Sequence, residues 1–481
     1  MKKKWIRGTV ILIVSSFIVK ALSFFYKIPY QNIMGDVGFY VYQTVYPLFS
    51  VLALMSTYSI PLVTSELLIQ GASLNALLKG FVRRFMPIGL MFFFFSPLVA
   101  KAFNDRAFTP FFILLSIVVL LTPFLGSYRG SLYCHEETIY KVGIANFIEQ
   151  AVRVFFIGIA LFLFIQGVVT DVYHVAFLSY GAFVLGLLMA FVYLLVTKKK
   201  GIETKEAEKT PFFAPSYRRM WILTLSASLL LLINLMDGLT MTRRLEPLVG
   251  FDEARRLKGV YDRSLPLIQG ALFFVSPLIT SYVPYLKKNG KPDRELVEMV
   301  LLFALPATVG LFLIYPQLHV LFFRDLVEMA SLRLNLLMIL LYSLVLSLFA
   351  VPCERMMADY VFTVIALGIK YAMNTVLIPH YRLIGAIFGN LSALFSLVFF
   401  LLARRWHILR LSHSNLIKIL SSALVMGLVV WGIERTPLVY PLVLQVVIGI
   451  IVYFVLVWLL NPINIRQDIM AFFRKKGKGS A

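Results

Sequence analysis

The chain has 481 residues, 60% of them hydrophobic and only 15% charged, with a mean hydropathy of +0.84. Soluble domains run about 45–50% apolar and 25% charged, so this balance excludes a soluble globular protein. Lys+Arg 46 against Asp+Glu 24 gives a net charge of +22, but the excess gathers between apolar runs on one side of a membrane, so nucleic acid is not the expected partner. Cys134 and Cys353 are too few for a disulfide framework or a zinc site, and the six histidines lack metal-ligand spacing, so neither metal nor cofactor is expected.

In chain order, a lysine-rich start precedes the apolar run Gly8–Ile33. The run is too long for a signal-peptide core and has no small-x-small cleavage site, so it reads as a retained first span. Further runs of membrane-crossing length follow at Gly38–Leu68, Phe81–Phe103, Phe108–Tyr133, Ile139–Ile165 and Val172–Thr197. A polar stretch, Lys198–Ser216, interrupts the pattern. A second series runs Met220–Arg243, Arg263–Leu286, Leu296–Tyr315, Leu332–Pro352, Asp359–Pro379 and Leu383–Ala403, and Leu416–Ile433 and Val439–Leu460 close it. The expectation is an all-α polytopic membrane protein of about fourteen transmembrane helices. They divide into two pseudo-symmetric six-helix lobes, 1–197 and 217–405, a linker at 198–216, two C-terminal helices within 406–460 and a basic tail at 461–481.

Basic residues concentrate in the N-terminal tail, the linker and the C-terminal tail, which places both termini and the linker in the cytoplasm. One outer segment dissents. Arg243 to Arg263 is rich in arginine, partly balanced by Glu246, Asp252, Glu253 and Asp262, and is expected to be a helix lying on the outer surface. PLVTS at 61–65 and PLITS at 277–281 end spans two and eight, consistent with parallel repeats.

Charges inside spans are the informative residues, because a charge at bilayer depth costs about 2.5–3.5 kcal/mol or more and usually faces a bundle interior or wet cavity. Lys20 and Lys27 are one heptad apart in span one and share a helix face, which suggests a cationic cavity for an anion. Glu149 and Arg153 stand at i, i+4 in span five, as a self-neutralising pair or one that opens when substrate competes for Arg153. If the pair is purely structural, reversing both charges together should rescue either single reversal. Asp237, one turn after Asn234, could bind a cation, carry a proton, or pair with Lys370 or Lys20; Lys370 and Asn374 are themselves at i, i+4 in span eleven. Asp262 and Arg263 open span eight, with Asp262 expected to orient the guanidinium, which acts as a phosphate clamp or an interfacial anchor. No nucleotide-binding glycine loop occurs, so an ion gradient, the membrane potential or the cargo's own gradient would drive export.

RGSLY at 129–133 with NFIEQAVRV at 146–154, and KYAMNTVLIPHYRLIGA at 370–386, resemble the sporulation protein V B group of the multidrug/oligosaccharidyl-lipid/polysaccharide exporter superfamily. VYDRSLPLIQ at 260–269 is similar to the span-eight entrance of its lipid II flippase branch. The resemblance implies fourteen helices around a cationic cavity, alternating access, and essential basic residues that map by position onto Lys20, Lys27 and Arg263. There are departures. Ser59 replaces a family glycine before Ile60 and Pro61, which stiffens the bend. Asp237 matches one acid of the sodium-binding relatives, but Ile378, four beyond Asn374, offers no ligand atom.

The function so implied is a flippase for a polyprenyl-pyrophosphate-linked oligosaccharide, lipid II first, in the bacterial cytoplasmic membrane. The partners implied are that lipid-linked anionic oligosaccharide, the bilayer and the cell-wall synthesis machinery. A flippase for another lipid-linked polysaccharide is the alternative. A cation-coupled multidrug exporter would want acids in its cavity, and a membrane sugar polymerase would want a larger outer loop. No bond is made or broken, so no enzyme is expected.

Overall fold

The computed structural model describes residues 18–134, 138–197, 214–351, 356–409, 412–435 and 441–464, without 20, 24, 274, 276, 280–281, 283–285 and 287–291. Among these residues the fold is helical and contains no strand. Ten helices are long and apolar enough to cross a membrane, and one bent pair brings the number to eleven. The long apolar stretch Ala21–Ile69 holds expected spans one and two, and Met357–Trp406 holds spans eleven and twelve. Each is interrupted, at Gly35 (φ 67°) and at Arg382 (φ 49°), where the apolar runs leave their gaps. The Lys198–Ser216 linker, up to residue 213, and most of span eight beyond residue 273 lie outside the described residues, as does part of the second repeat motif.

By packing, the chain separates into two units: one of Met1–Asp262 with Asn374–Ala386, the other of Arg263–Met373 with Ile387–Ala481.

The first unit begins with α1 (Lys27–Leu54), continued through a π-helical turn at Met55–Ser59 into α2 (Ile60–Ile69). Pro61 explains the turn. It has no N–H to donate, and Ile60 N–H reaches back five residues to the Met55 carbonyl. The Ser59 hydroxyl here accepts from Thr224 at 2.8 Å, which ties span two to span seven. Next come α3 (Leu74–Phe94), capped by the Ser73 hydroxyl on Ala76 N–H, and α4 (Ser96–Ala102), bent from α3 by 74°. Then come α5 (Thr109–Tyr133), α6 (Ile139–Ile165) and α7 (Val172–Val196), whose Asp171 caps Tyr173 N–H.

Helix α8 (Ala214–Val249) runs past the expected end of span seven, and Gly250 turns the chain into α9 (Phe251–Asp262). The dissenting segment is therefore helical, as expected, but it is not a free surface helix. Its Ala254, Leu257, Val260 and Tyr261 are buried, and it packs on α1 and α8. Packing is close enough that a Cβ on Gly259 would lie 1.9 Å from the Asp36 carbonyl oxygen, just after the Gly35 break. The outward face carries local ion pairs, and the Arg256 guanidinium beside Glu253 holds that carboxyl below its usual value. Arg255 donates to the Tyr173 hydroxyl, which in turn bonds Asp105, linking α9 to α7 and to the turn before α5.

The second unit contains α10 (Ser264–Leu272), α11 (Arg294–Phe323), α12 (Met329–Asn335), α13 (Met338–Ala350), most of α14 (Met356–Leu409), α15 (His413–Glu434) and α16 (Pro441–Leu460). Two of its buried carboxylates have partners close by. Asp359 receives Arg405 at 2.6 Å and also Arg404, while Glu298 accepts from the Ser412 N–H and the Asn415 amide at the start of α15. Helices α15 and α16 pack on α11 and leave Leu424, Leu428, Ile451 and Phe454 exposed, an arrangement that suits lipid rather than water.

Candidate functional site

Lys27 stands before the Gly35 break and is 1% exposed, and its ammonium lies 4.0 Å over the ring of Tyr46, which comes after the break. A desolvated cation on an aromatic face gains about 2 kcal/mol, which offsets part of its burial. Rings continue from there: Tyr46 lies against Tyr42, Tyr42 stacks on Tyr180 at 5.2 Å, and Phe49 touches both Tyr180 and Phe183. The Arg153 guanidinium sits 3.7 Å over Phe183, so one aromatic wall joins the two buried cations. Lys20 lies outside the described residues.

The expected Glu149–Arg153 pair forms at 2.7 Å, but it is not self-contained. Arg129 of α5, itself 0% exposed, takes the other carboxylate oxygen of Glu149, also at 2.7 Å. The pair read as neutral is thus a triad of two guanidiniums on one carboxylate. The π-turn supplies the rest of the Arg129 shell: its Nη1 donates to the Ser56 carbonyl at 3.1 Å and the Ser56 hydroxyl at 3.0 Å. Five residues beyond Ser56 stands Pro61, with no N–H for that carbonyl. The Nε atoms of both Arg129 and Arg153, and the Gln150 amide nitrogen, are buried with no hydrogen-bond acceptor among the described residues. Unfilled donors on a buried cationic cluster can take an anion.

Asp237 accepts from the Tyr261 hydroxyl at 2.7 Å and from the Asn374 amide at 2.9 Å, and Asn374 also donates to Thr240. The structure therefore brings together Asp237 and Asn374, two of the ion-coupling candidates, in direct contact, with Tyr261 of α9 on the other carboxylate oxygen. Lys370 is fully buried on α14, in the other packing unit. No group of three or more His, Cys, Asp or Glu that could hold a metal occurs among the described residues.

The expected role of Asp262 needs correction. Its carboxylate is held by Lys258, one turn back on α9, at 2.5 and 2.6 Å. Adjacent residues on a helix do not face each other, whereas i, i+4 residues do. The carboxylate on Arg263 is Asp325, whose two oxygens lie 2.8 and 2.9 Å from Arg263 Nη1. His319 adds a third contact to Asp325 at 3.1 Å. Burial alone would raise the Asp325 carboxyl, but the hydrogen bond and charge of Arg263 hold it below its usual value.

Sequence reading missed Arg129, Lys258, His319 and Asp325. Arg129 lay inside the apolar run of span four, and Lys258–Asp262 was an i, i+4 pair in a segment already read as helical. Those two signals were available. Asp325 lies 62 residues from Arg263 in a loop, and no spacing rule connects them.

Comparisons with known proteins bear on these features. The polysaccharide biosynthesis protein family matches residues 5–289, more than half of the chain. YabM, an uncharacterised membrane protein of Bacillus subtilis (strain 168), is 29% identical over 471 residues, covering 90% of this chain and 87% of that protein. The inward closed conformation of the lipid II flippase MurJ superposes with a TM-score of 0.69 at 14% identity, covering 93% of this chain and 98% of that one. An inward-facing multidrug resistance MATE family transporter of the MOP superfamily gives 0.56 at 13% identity, with 84% and 99% covered. Those likenesses fix the fold, and the expected all-helical membrane fold is borne out. With many apolar helices, a fold like that of MurJ and a family match over more than half its length, this chain is a multi-pass membrane protein that belongs to the polysaccharide biosynthesis protein family.

Proposed function

We propose that the protein flips a polyprenyl-pyrophosphate-linked oligosaccharide across the bacterial cytoplasmic membrane, with lipid II, the peptidoglycan precursor, as its cargo. The observation that carries this reading is the buried triad, in which one carboxylate, Glu149, answers both Arg129 and Arg153 while their Nε donors have no acceptor among the described residues. A headgroup pyrophosphate supplies the missing acceptors and negative charge. Lys27 extends the cationic surface, and Arg263 provides guanidinium donors at span eight. Lys20 belongs to the same proposal by its position one heptad before Lys27. The two six-span lobes, 1–197 and 217–405, act as the halves of an alternating-access cycle, and the polyprenyl tail stays in lipid beside α15 and α16. Charge neutralisation on cargo binding biases the cycle between its two states, and Asp237, Asn374, Asp262 and Lys370 are the candidates for coupling that bias to an ion or proton. The product would pass to the cell-wall synthesis machinery outside.

Likeness in fold to a protein named as a lipid II flippase favours this cargo over other lipid-linked polysaccharides. A multidrug exporter for cationic drugs fits less well, since buried arginines and lysine repel such cargo.

Complementation tests the reading. In a strain depleted of its lipid II flippases, the wild-type chain should restore growth. Lys27→Arg should retain that activity because charge is kept, whereas Lys27→Gln should lose most of it at unchanged protein level. Failure of a well-inserted wild-type protein would move the cargo to another lipid-linked polysaccharide. Full growth with Lys27→Gln would remove that lysine from the site.

A further inference from the structure

The loop between α11 and α12 has an unusual backbone. Arg324 and Glu328, at its two ends, both lie in the left-handed region, at φ 59° and 52°, and neither is glycine. L side chains adopt that conformation only where surrounding contacts enforce it. The enforcing contacts converge on Asp325 between them. Its carboxylate receives Arg263 Nη1 on both oxygens, at 2.8 and 2.9 Å, His319 Nε2 at 3.1 Å, and the Val327 N–H at 3.1 Å. His319 Nδ1 is 3.2 Å from the Tyr315 hydroxyl; with Tyr315 as donor, the other ring nitrogen carries the proton that Asp325 accepts.

The burial of these groups is uneven. His319 is 0% exposed and Arg263 4%, whereas the Asp325 side chain keeps 33% of its surface in solvent. Among the described residues, two buried donors therefore meet on the Asp325 carboxylate, which solvent can reach. A carboxylate matches one face of a phosphate: two oxygens, negative charge, acceptor only. A phosphate carries more charge and more acceptor oxygens, and removing the carboxylate lets the left-handed backbone relax.

We propose that Arg263 and His319 form a seat for a phosphate or pyrophosphate group, which Asp325 fills as an exchangeable internal ligand until the anion displaces it. The proposal deepens the flippase reading and rests on it for the source of the anion. It adds His319 as a second donor and the Asp325 loop as the part that is released. Binding of the anion and release of the loop are then one event, so cargo arriving at span eight frees the segment joining α11 to α12.

Full-length protein in detergent, titrated calorimetrically with inorganic pyrophosphate, tests the exchange. Apparent affinity scales with the fraction of seats open, so Asp325→Asn should bind pyrophosphate about tenfold more tightly than wild type. Adding His319→Gln or Arg263→Gln to Asp325→Asn should abolish that gain. Unchanged or weaker binding by Asp325→Asn overturns the proposal. Should that variant not fold, hydrogen–deuterium exchange of the wild-type chain decides between exchange and a fixed loop. Pyrophosphate should speed exchange across residues 324–328, and equal or slower exchange overturns the proposal. Polyprenyl pyrophosphate in nanodiscs, run beside inorganic pyrophosphate, separates the two sources. A response to the lipid, with or without the free anion, supports a headgroup seat. A response to the free anion alone supports the seat but counts against the flippase reading, and a response to neither overturns the seat. Loss of complementation by the wild-type chain alongside tighter pyrophosphate binding in Asp325→Asn would sink the cargo assignment and leave the seat standing.

Discussion

Glu149 has to answer two guanidiniums, and that changes what its replacement does. With Arg129 on one oxygen and Arg153 on the other, Glu149→Gln strands two buried cations rather than one. Removing one partner of a buried pair costs about 3–5 kcal/mol, so membrane-inserted Glu149→Gln should fall in abundance on immunoblots. The double reversal Glu149→Arg with Arg153→Glu should also fail to rescue, because the new arginine faces Arg129. Recovery of normal levels by that reversal would show that Arg129 does not share the carboxylate. Here the sequence carried half of the answer. Spacing on one helix reveals partners one turn apart, which is why Glu149–Arg153 was legible. Arg129 reaches Glu149 from another helix, and only packing brings them together. The same physics explains Asp262, whose true partner Lys258 was one turn away while its sequence neighbour Arg263 points elsewhere to Asp325.

Elements were easier to read than sites. A span is a long apolar run, and lipid leaves little else for such a run to be. The runs therefore located the helices and even the interruptions at Gly35 and Arg382. Helix ends were harder, because an apolar run measures the part in lipid rather than the whole helix. Span seven was expected to stop at Arg243, but α8 continues to Val249, where Glu246 accepts from Asn104. The packing of α9 is invisible in hydropathy and depends on a missing side chain. At Gly259 a methyl group would meet the Asp36 carbonyl oxygen at 1.9 Å, backbone that cannot swing away. Gly259→Ala should destabilise the protein by about 1–3 kcal/mol, seen as a lower melting temperature in detergent. Gly158→Ala is the control, since nothing lies within 4 Å of its Cβ position, and it should leave melting unchanged or raise it. Equal melting of the two variants would mean that α9 does not seat on α1 as described.

At the scale of the whole molecule, orientation decides what each cluster can meet. The rule that Lys and Arg stay on the cytoplasmic side would put the Lys198–Lys200 run inside, together with the basic termini. Span parity from that linker would then send the far end of α8 outward, and with it α9. The same parity would put the Asp325 loop, at the end of α11, on the outer side and Arg404 and Arg405, at the end of α14, on the inner side. The Arg263–Asp325 seat would then meet cargo late in translocation, while Arg129 and Glu149, nearer the inner ends of α5 and α6, would meet it early. Cysteine accessibility tests this order directly. With Cys134 and Cys353 replaced by serine, Lys205→Cys should resist a membrane-impermeant maleimide in intact cells and react once they are permeabilised. Leu326→Cys, on the exposed part of the Asp325 loop, should react in intact cells. Labelling of Lys205→Cys from outside would invert the molecule. Arg263 would then belong to cargo entry and the Arg129–Glu149–Arg153 triad to its release.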